Sequence, residues 1–304
     1  RSIRRLRASG IAHKEATEMA FGREEKTETN WWILGGGLGF VVFTISMGLS
    51  DISFNKEIIF VGSMTIVLFL MSRLIKVLES DDRLILVGTA VIIFVYRAMP
   101  TPGAGQTWWM IDELAFNQQF LAVLSLIGSV LTLFGMFIFR RFMAERSIAY
   151  VIVFLTIASS LLYLPIAGMF YGLHQVTASL TGGIVDAHFI AVVDTALESP
   201  LGQIAMIPML AWIANSAPAN LKATFFAVMA SFTNLALSAS QLGTKYLNQI
   251  FTVTREVKDR DSGMVTTPAD YSELGLLMWT AMLLGLLVPI TAVVIIRFSP
   301  FKSA

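Results

Sequence analysis

The sequence predicts an all-α membrane protein that crosses the bilayer several times. Hydrophobic residues make up 55% of the 304 residues and charged residues only 14%, whereas a typical soluble domain is about 25% charged. The apolar residues form runs of about twenty, the length with which an α-helix crosses a bilayer. No regular alternation of apolar and polar residues, the mark of a strand, competes with these runs.

The composition also argues against several functional classes. The chain has no cysteine and only three histidines, and the histidines lack the spacing of a metal site. A net charge of +1 is too small for a nucleic-acid-binding surface. The sequence contains no evident pairing of a nucleophile with a base. We therefore expect no metal, cofactor, enzymatic activity or nucleic-acid partner.

Eight predicted spans follow one another along the chain. Residues 1–30 are basic and polar, and we interpret them as a cytoplasmic linker or tail, as we do residues 298–304 at the other end. Two connections between spans are long, 172–187 and 250–272. The spans cover residues 31–50, 57–78, 84–100, 118–139, 147–171, 188–215, 223–249 and 273–297.

Positive charges predict the orientation of these spans. Lys and Arg concentrate in residues 1–30 and in alternate connections such as 140–146, whereas the connections 101–117 and 172–187 contain neither. The connection 250–272 is an exception, because its basic residues are interleaved with acidic ones. Since cytoplasmic loops are enriched in Lys and Arg, we predict that both ends of the chain are cytoplasmic, in a plasma membrane or a bacterial inner membrane.

Two segments contain motifs in a characteristic order. The first runs FVYRAMPTPGAGQTWWMIDELAFNQQFLAVLSLIGSVLTLFGMFIFRRF and includes DELAF at 112–116. The second runs DTALESPLGQIAMIPMLAWIANSAPANLKATFFAVMASFTNLA at 194–236. In their order and spacing, these motifs resemble the folate–biopterin transporter family of the major facilitator superfamily. The family signature is acidic–Leu–Gly–Phe, so Ala115 stands here where glycine is usual.

The resemblance implies a carrier that works by alternating access, with a cleft between two six-helix halves. Residues 84–297 then correspond to the six-helix carboxy-terminal half. Residues 31–78 are either the end of the amino-terminal half or an extra central pair, and the other amino-terminal helices lie outside this chain. The implied substrate is a small organic anion of the folate or pterin class.

Two carboxyl groups interrupt the predicted span 188–215. Asp194 and Glu198 lie four residues apart, which places them on one face of a helix. A charge in the membrane costs roughly 2.5–3.5 kcal/mol on insertion scales, so such residues usually face a polar path or a partner. Desolvation favours the protonated carboxyl. We expect the pair to carry protons for symport; the alternative is a structural role, such as pairing with Arg97.

Arg97 lies just before two prolines, Pro100 and Pro102, near the end of the third span. Carriers build binding sites where a helix is interrupted, and a guanidinium can hold a carboxylate through two hydrogen bonds. We predict substrate contacts for Arg97 and for the acidic pair Asp112 and Glu113. The alternative is an ion pair between Arg97 and one of these acids or an acid on 188–215.

A polar stripe lies on the span 223–249, where four side chains repeat with helical spacing. A polar stripe on a membrane helix faces protein or water, and this one suits hydrogen bonding to a heteroaromatic ring. The alternatives are contacts between helices and, for Lys245, an extended side chain that reaches the membrane surface. The residues are Asn234, Ser238, Gln241 and Lys245, of which the first three are our substrate-binding candidates.

The connection FRRFMAERS, 139–147, stands where the superfamily places a basic gating motif, although the usual Gly-rich, Asp-containing form is missing. We consider two roles for its basic residues, membrane anchoring by the positive-inside rule and gating. Glu145 is then the partner in an inner-gate latch. The basic residues are Arg140, Arg141 and Arg146.

The span 118–139 has a face of small residues, which predicts close helix packing. They are Ser125, Gly128, Ser129, Thr132 and Gly135.

The leading functional prediction is a secondary active transporter. The second is a membrane accessory or assembly subunit that keeps the fold without transporting and binds a pigment, a lipid or a protein partner. Likeness of fold does not separate the two. An intact second half with its own polar intramembrane residues would favour transport.

Overall fold

The computed structural model describes residues 31–202, 204, 206–216, 222–259, 262–301 and 303. The predicted linker 1–30 and part of the tail 298–304 lie outside these residues. The described part contains twelve α-helices, two short 3₁₀ turns and one two-stranded hairpin. The longer helices are α1 Trp31–Gly48, α2 Asn55–Leu74, α3 Ser80–Arg97, α5 Gln118–Ile138, α7 Ile148–Phe170, α11 Lys222–Ile250 and α12 Leu274–Phe298. The shorter ones are α4 Ala104–Asp112, α6 Arg140–Glu145, α8 Leu173–Leu180, α9 Ala187–Glu198 and α10 Met206–Ser216.

Six helices of the described part are long and apolar enough to cross a membrane: α1, α2 with the turn that follows it, α5, α7, α11 and α12. This confirms the prediction of an all-α, multi-pass integral membrane protein. The other two predicted spans differ from these six. The helix α3 begins with the charged residues Asp81 and Asp82, and the predicted span 188–215 is divided between α9 and α10.

Short polar side chains fix where several helices begin. Asn117 accepts a hydrogen bond from the backbone N–H of Phe120 (2.8 Å) at the start of α5. Ser147 does the same at α7, and Asp186 at α9. Each side chain satisfies an N–H that has no partner within its own helix, which stabilises a helix by about 1 kcal/mol.

The predicted span 188–215 is wrong as a continuous helix. The helix α9 ends at Glu198, a 3₁₀ turn follows at Ser199–Leu201, and α10 begins at Met206. Pro200 lies in the turn, and its ring nitrogen has no hydrogen to donate to the preceding turn of the helix. Asp194 and Glu198 therefore both lie in the last turns of α9, just before the break.

The long connection 250–272 contains strands that the sequence does not predict. β1 Val257–Lys258 pairs antiparallel with β2 Val265–Thr267, and Thr254 forms a further bridge with Asp270. Strands of two and three residues are too short to show an alternating pattern.

The hydrophobic core of the described residues forms three clusters, of which the two larger lie toward opposite ends of the bundle. One cluster joins α2, α3, α10 and α11 to the start of α7 and the end of α12, on the predicted cytoplasmic side. The other joins α4, the end of α7, the start of α9 and the start of α12, which we call the predicted outer side. Thr156, Ser159 and Ser160 of α7 and Gly285 of α12 belong to neither of these clusters. The middle region between the two clusters therefore contains polar and small side chains.

The helices α1 and α2 form a pair beside the other helices. α1 packs along α2, and α2 packs against α11. Phe225, Met229 and Phe232 of α11 belong to the same apolar cluster as Val67 and Leu70 of α2. The pair 31–78 is thus attached to the rest of the chain through α11.

Candidate functional site

A cavity of about 480 Å³ lies in this middle region, between α3, α4, α7, α9 and α12. This volume falls in the range of small-molecule sites. Its wall combines a carboxylate, two tyrosines, hydroxyl groups, an amide and methionines. The lining residues include Tyr96, Met99, Gln106, Thr156, Ser159, Ser160, Tyr163, Glu198 and Met282.

Hydrogen bonds organise part of the cavity wall. The hydroxyl of Tyr163 donates to Oε1 of Gln106 (2.8 Å), which joins α7 to α4. Ser160 donates to the backbone carbonyl of Thr156 (2.8 Å). The hydroxyl of Thr156 is buried and has no hydrogen-bond partner among the described residues. A buried polar group without a partner costs about 1–3 kcal/mol, so Thr156 is suited to meet a ligand.

The two carboxylates of α9 differ in their surroundings. Glu198 is exposed and lines the cavity, whereas Asp194, one turn earlier, is half-buried and is not part of the cavity wall. Among the described residues, neither carboxylate has a hydrogen bond or an ion pair. The placement of both on one helix is as predicted.

Arg97 is half-buried at the end of α3. Its Nη1 atom lies 3.8 Å from the sulfur of Met209 on α10. No carboxylate of the described residues lies within 4.0 Å of this guanidinium. The alternative of an ion pair between Arg97 and Asp112, Glu113 or the acids of α9 is therefore wrong for this structure.

Asp112 pairs instead with Arg255 at the predicted outer side. Arg255 donates to both carboxylate oxygens, from Nε at 3.1 Å and from Nη2 at 2.8 Å, and the hydroxyl of Tyr271 donates to Oδ2 at 2.5 Å. We call these three residues the outer cap. Hydrogen bonds from Arg255 and Tyr271 hold the pKa of Asp112 below its ordinary value. Burial and the bond to Asp112 raise the pKa of Tyr271 to about 12.

The DELAF motif forms the turn beside the outer cap. Ala115 has a φ of 55°, in the left-handed region that favours glycine. This conformation gives a physical reason for the glycine that is usual at this position. Phe116 is buried at 1% exposure, and its ring lies against those of Phe120 and His188. Glu113 is exposed at the end of α4.

The side chains of the polar stripe on α11 are more exposed than those that line a closed binding pocket. Asn234 and Gln241 are exposed and Ser238 is half-buried. Lys245 forms an ion pair with Glu57 of α2, with Nζ 2.5 Å from Oε1, and Tyr246 donates to the same oxygen at 2.9 Å. This ion pair joins α11 to α2 near their predicted outer ends.

The basic residues around α6 are exposed. Arg141 pairs with Glu145 at 2.6 Å within one helical turn, and the guanidinium of Arg146 lies 5.2 Å from the ring of Tyr150. Arg140 is exposed. Glu145 thus has the kind of partner that was predicted, but the pair does not connect two different helices. Exposed pairs of this spacing contribute about 0.3–0.5 kcal/mol.

Part of the small-residue face of α5 packs closely, as predicted, whereas Ser125 and Ser129 are exposed. Thr132 donates to the carbonyl of Ser199 at 2.9 Å, and a Cβ atom added at Gly128 would lie 3.0 Å from the hydroxyl oxygen of Ser199. Gly135 faces the backbone of Pro200. Small side chains on α5 therefore hold the break after α9 in place.

Sequence reasoning missed several residues that the structure brings into the site. Thr156, Ser160 and Tyr163 have the spacing of one helical face on α7, so the criterion that identified the α11 stripe would also have found them. The pairs Glu57–Lys245 and Asp112–Arg255 had no such signal, because their partners lie far apart in the chain. The described residues contain no cluster of three or more His, Cys, Asp or Glu side chains that would hold a metal.

Comparison with known proteins finds relatives whose names are those of transporters. It is 30% identical over 146 residues to a folate-biopterin transporter of Synechocystis, an alignment of 48% of this chain and 28% of that protein. It is 26% identical over 154 residues to a probable folate-biopterin transporter 6 of Arabidopsis thaliana (50% and 29%). It is 25% identical over 183 residues to a putative folate transporter 2 of Plasmodium berghei (58% and 37%).

The aligned region thus spans roughly a third of the length of these relatives. Their names are those of transporters rather than enzymes. No solved structure matches the chain significantly. The model of the BT1 family matches residues 12–301, which is most of the chain. The chain therefore belongs to the BT1 family, which confirms the predicted folate–biopterin transporter family.

Proposed function

We propose that this chain is part of a secondary active transporter for small organic anions of the folate or pterin class, and that transport is coupled to protons. The family and the names of the relatives support the substrate class. The observation that carries the proposal is the set of charges in the predicted spans 84–100 and 188–215 that have no ion-pair partners among the described residues: Arg97, Asp194 and Glu198. Unpaired charges there are costly, which makes a role in transport the best reason to keep them.

Arg97 binds the carboxylate of the substrate in this proposal. Its guanidinium contacts a methionine sulfur and no carboxylate of the described residues, so its charge is free for a ligand. A substrate carboxylate would form hydrogen bonds that are both charge-assisted and bidentate.

Asp194 and Glu198 carry the proton-coupling role. They lie one turn apart on α9, and ionising both at once is unfavourable because their charges repel. The break after Glu198 interrupts this span between α9 and α10. In transporters, interrupted helices of this kind surround substrate and ion sites near the middle of the membrane.

The remaining predicted residues would act where this chain meets the rest of the protein. Alternating access requires a second half, which lies outside this chain. We propose that the exposed side chains Asn234, Ser238 and Gln241 face that half across the cleft, and that Asp112 and Glu113 stand at its outer mouth. The gating candidates at the predicted cytoplasmic side are Arg140, Arg141, Glu145 and Arg146.

Uptake by the full-length protein in proteoliposomes tests this function. In the variant Asp194→Asn, a pH gradient should no longer drive accumulation of folate, whereas exchange of internal for external folate should continue. The matched control is Asp51→Asn, in the exposed turn between α1 and α2, which should behave as wild type. Equal pH-driven accumulation in wild type and Asp194→Asn would remove Asp194 from coupling.

A further inference from the structure

We propose that the cavity at Glu198 is the subsite for a 2-amino-4-oxopteridine ring, and that Glu198 recognises the ring while Asp194 carries the proton. This inference rests on the proposed function and deepens it. It changes the sequence-based expectation, and the coupling role proposed above for both carboxylates, in two ways. The ring site moves from the α11 stripe to the space between α3, α7, α9 and α12, and the two carboxylates have separate roles.

The first argument is the chemistry of the cavity wall. A 2-amino-4-oxopteridine presents two neighbouring N–H donors, at the 2-amino group and at the adjacent ring nitrogen. A carboxylate accepts such a pair with its two oxygens, as it accepts the parallel N–H groups of arginine. Glu198 is the acidic residue in the wall of this cavity, and no described residue occupies its oxygens.

The second argument is that the cavity wall offers hydrogen-bond donors to the other polar atoms of the ring. The ring also carries a carbonyl oxygen and unprotonated nitrogens, which need donors. Ser159 lines the cavity, and the buried hydroxyl of Thr156 has no partner among the described residues. Gln106 accepts from Tyr163 with its oxygen, which leaves its NH₂ group to donate. The wall thus offers donors in addition to the single carboxylate.

The third argument is size and shape. The cavity volume of about 480 Å³ accommodates a fused two-ring system and lies within the range of small-ligand sites. The aromatic rings of Tyr96 and Tyr163 and the sulfur atoms of Met99 and Met282 give the remaining wall a polarisable surface, which suits contact with a flat ring.

The separate roles follow from the position of the two carboxylates. Glu198 lines the cavity and Asp194 does not. A ring that donates two hydrogen bonds to Glu198 keeps this group ionised. Its negative charge, one helical turn from Asp194, then favours a proton on Asp194. Binding of the ring and loading of the proton would therefore support each other, as symport requires.

Calorimetry on the purified full-length protein tests the inference with two small ligands, 2-amino-4-oxopteridine and 4-oxopteridine, which lacks the 2-amino group. Wild type should bind the amino compound roughly 10- to 150-fold more tightly, the range for a charge-assisted hydrogen bond. In Glu198→Gln, where an NH₂ group replaces one acceptor, this preference should vanish. The control Glu79→Gln, at the other end of α3, should keep it.

A second variant guards against a folding defect in the first. Tyr163→Phe removes the hydroxyl that orients Gln106, and it should weaken the binding of both pteridines by about 2- to 10-fold. Tyr150→Phe, on the same helix but outside the cavity, is the matched control and should bind as wild type.

The possible outcomes separate this inference from the proposed function. If wild type binds folate and the amino compound, and Glu198→Gln keeps the full preference for the 2-amino group, the ring subsite is wrong and the transporter assignment stands. If wild type binds neither folate nor either pteridine, the substrate class is wrong, and this inference falls with it.

Discussion

Charged side chains are paired in the outer cap and unpaired in the predicted spans 84–100 and 188–215. In the outer cap, Asp112 uses both carboxylate oxygens for Arg255 and Tyr271. In the predicted spans 84–100 and 188–215, Arg97, Asp194 and Glu198 have no ion pair with any described residue, although an isolated charge costs more in a membrane than at the surface. We infer that the paired charges hold the fold and that the unpaired ones serve transport.

Substitution of Arg97 tests whether an unpaired charge serves substrate binding, and it should give the largest change in affinity. Arg97→Ala should weaken the binding of folate by about 10- to 150-fold, since a charged hydrogen bond contributes about 1.5–3 kcal/mol. A pterin without the glutamate carboxylates should bind almost as before. Calorimetry with both ligands checks this. An equal loss of affinity for both ligands would show that Arg97 does not bind the carboxylate of folate.

The sequence predicted the long helices better than the contacts between them. The span 118–139 corresponds to α5 at Gln118–Ile138, and 273–297 to α12 at Leu274–Phe298, because a membrane helix is defined by local apolar length. The break after α9 was less visible, since prolines occur within α7 and α12 without ending those helices. At this break the small residues of α5 pack against Ser199 and Pro200, which are distant from them in the sequence.

In the candidate site, too, local features were predicted better than contacts between distant residues. Asp194, Glu198 and Arg97 could be chosen as candidates because a charge in an apolar run is a local signal. That Asp112 would meet Arg255 could not be read from the sequence, because 143 residues separate the partners. The exposure of Asn234 and Gln241 was equally hidden, since a helical stripe shows which residues share a face and not what that face meets.

Acid should weaken the contacts of Asp112 in the outer cap. The pKa of Asp112 lies below its ordinary value in the folded protein, so its contribution to stability is present above about pH 4 and is lost as the pH falls through the lowered value. Thermal unfolding between pH 7 and pH 3 should show this loss in wild type. Asp112→Asn should have a lower Tm at pH 7 and a weaker dependence on acid.

The same cap should also respond to strong base. The pKa of Tyr271 is raised to about 12, so its contribution to the free energy of unfolding is complete below about pH 10 and is lost as the pH rises through 12.

Asp51→Asn, outside the outer cap, serves as the control for the acid series. If Asp112→Asn unfolds with the acid dependence of wild type, the outer cap does not hold the fold in the way that we describe.

The smallest effect is expected at Ala115, beside the outer cap. The left-handed conformation of this residue, with φ at 55°, costs a residue with a side chain about 1–2 kcal/mol. Ala115→Gly should therefore raise the free energy of unfolding by about 0.5–1 kcal/mol after the greater flexibility of glycine is allowed for. Ala144→Gly, in the helix α6, should instead lower it by about 1 kcal/mol. A loss of stability in both variants would argue against strain at Ala115.

The most direct test of the contrast between paired and unpaired charge combines stability with transport in one variant. Asp194→Asn in the full-length protein removes a charge that has no ion pair among the described residues, and neutralising such a group lowers the cost of burying it. We predict that the Tm of this variant equals or exceeds that of wild type, while pH-driven folate accumulation is lost. A lower Tm with accumulation intact would contradict the account, because Asp194 would then be a structural residue.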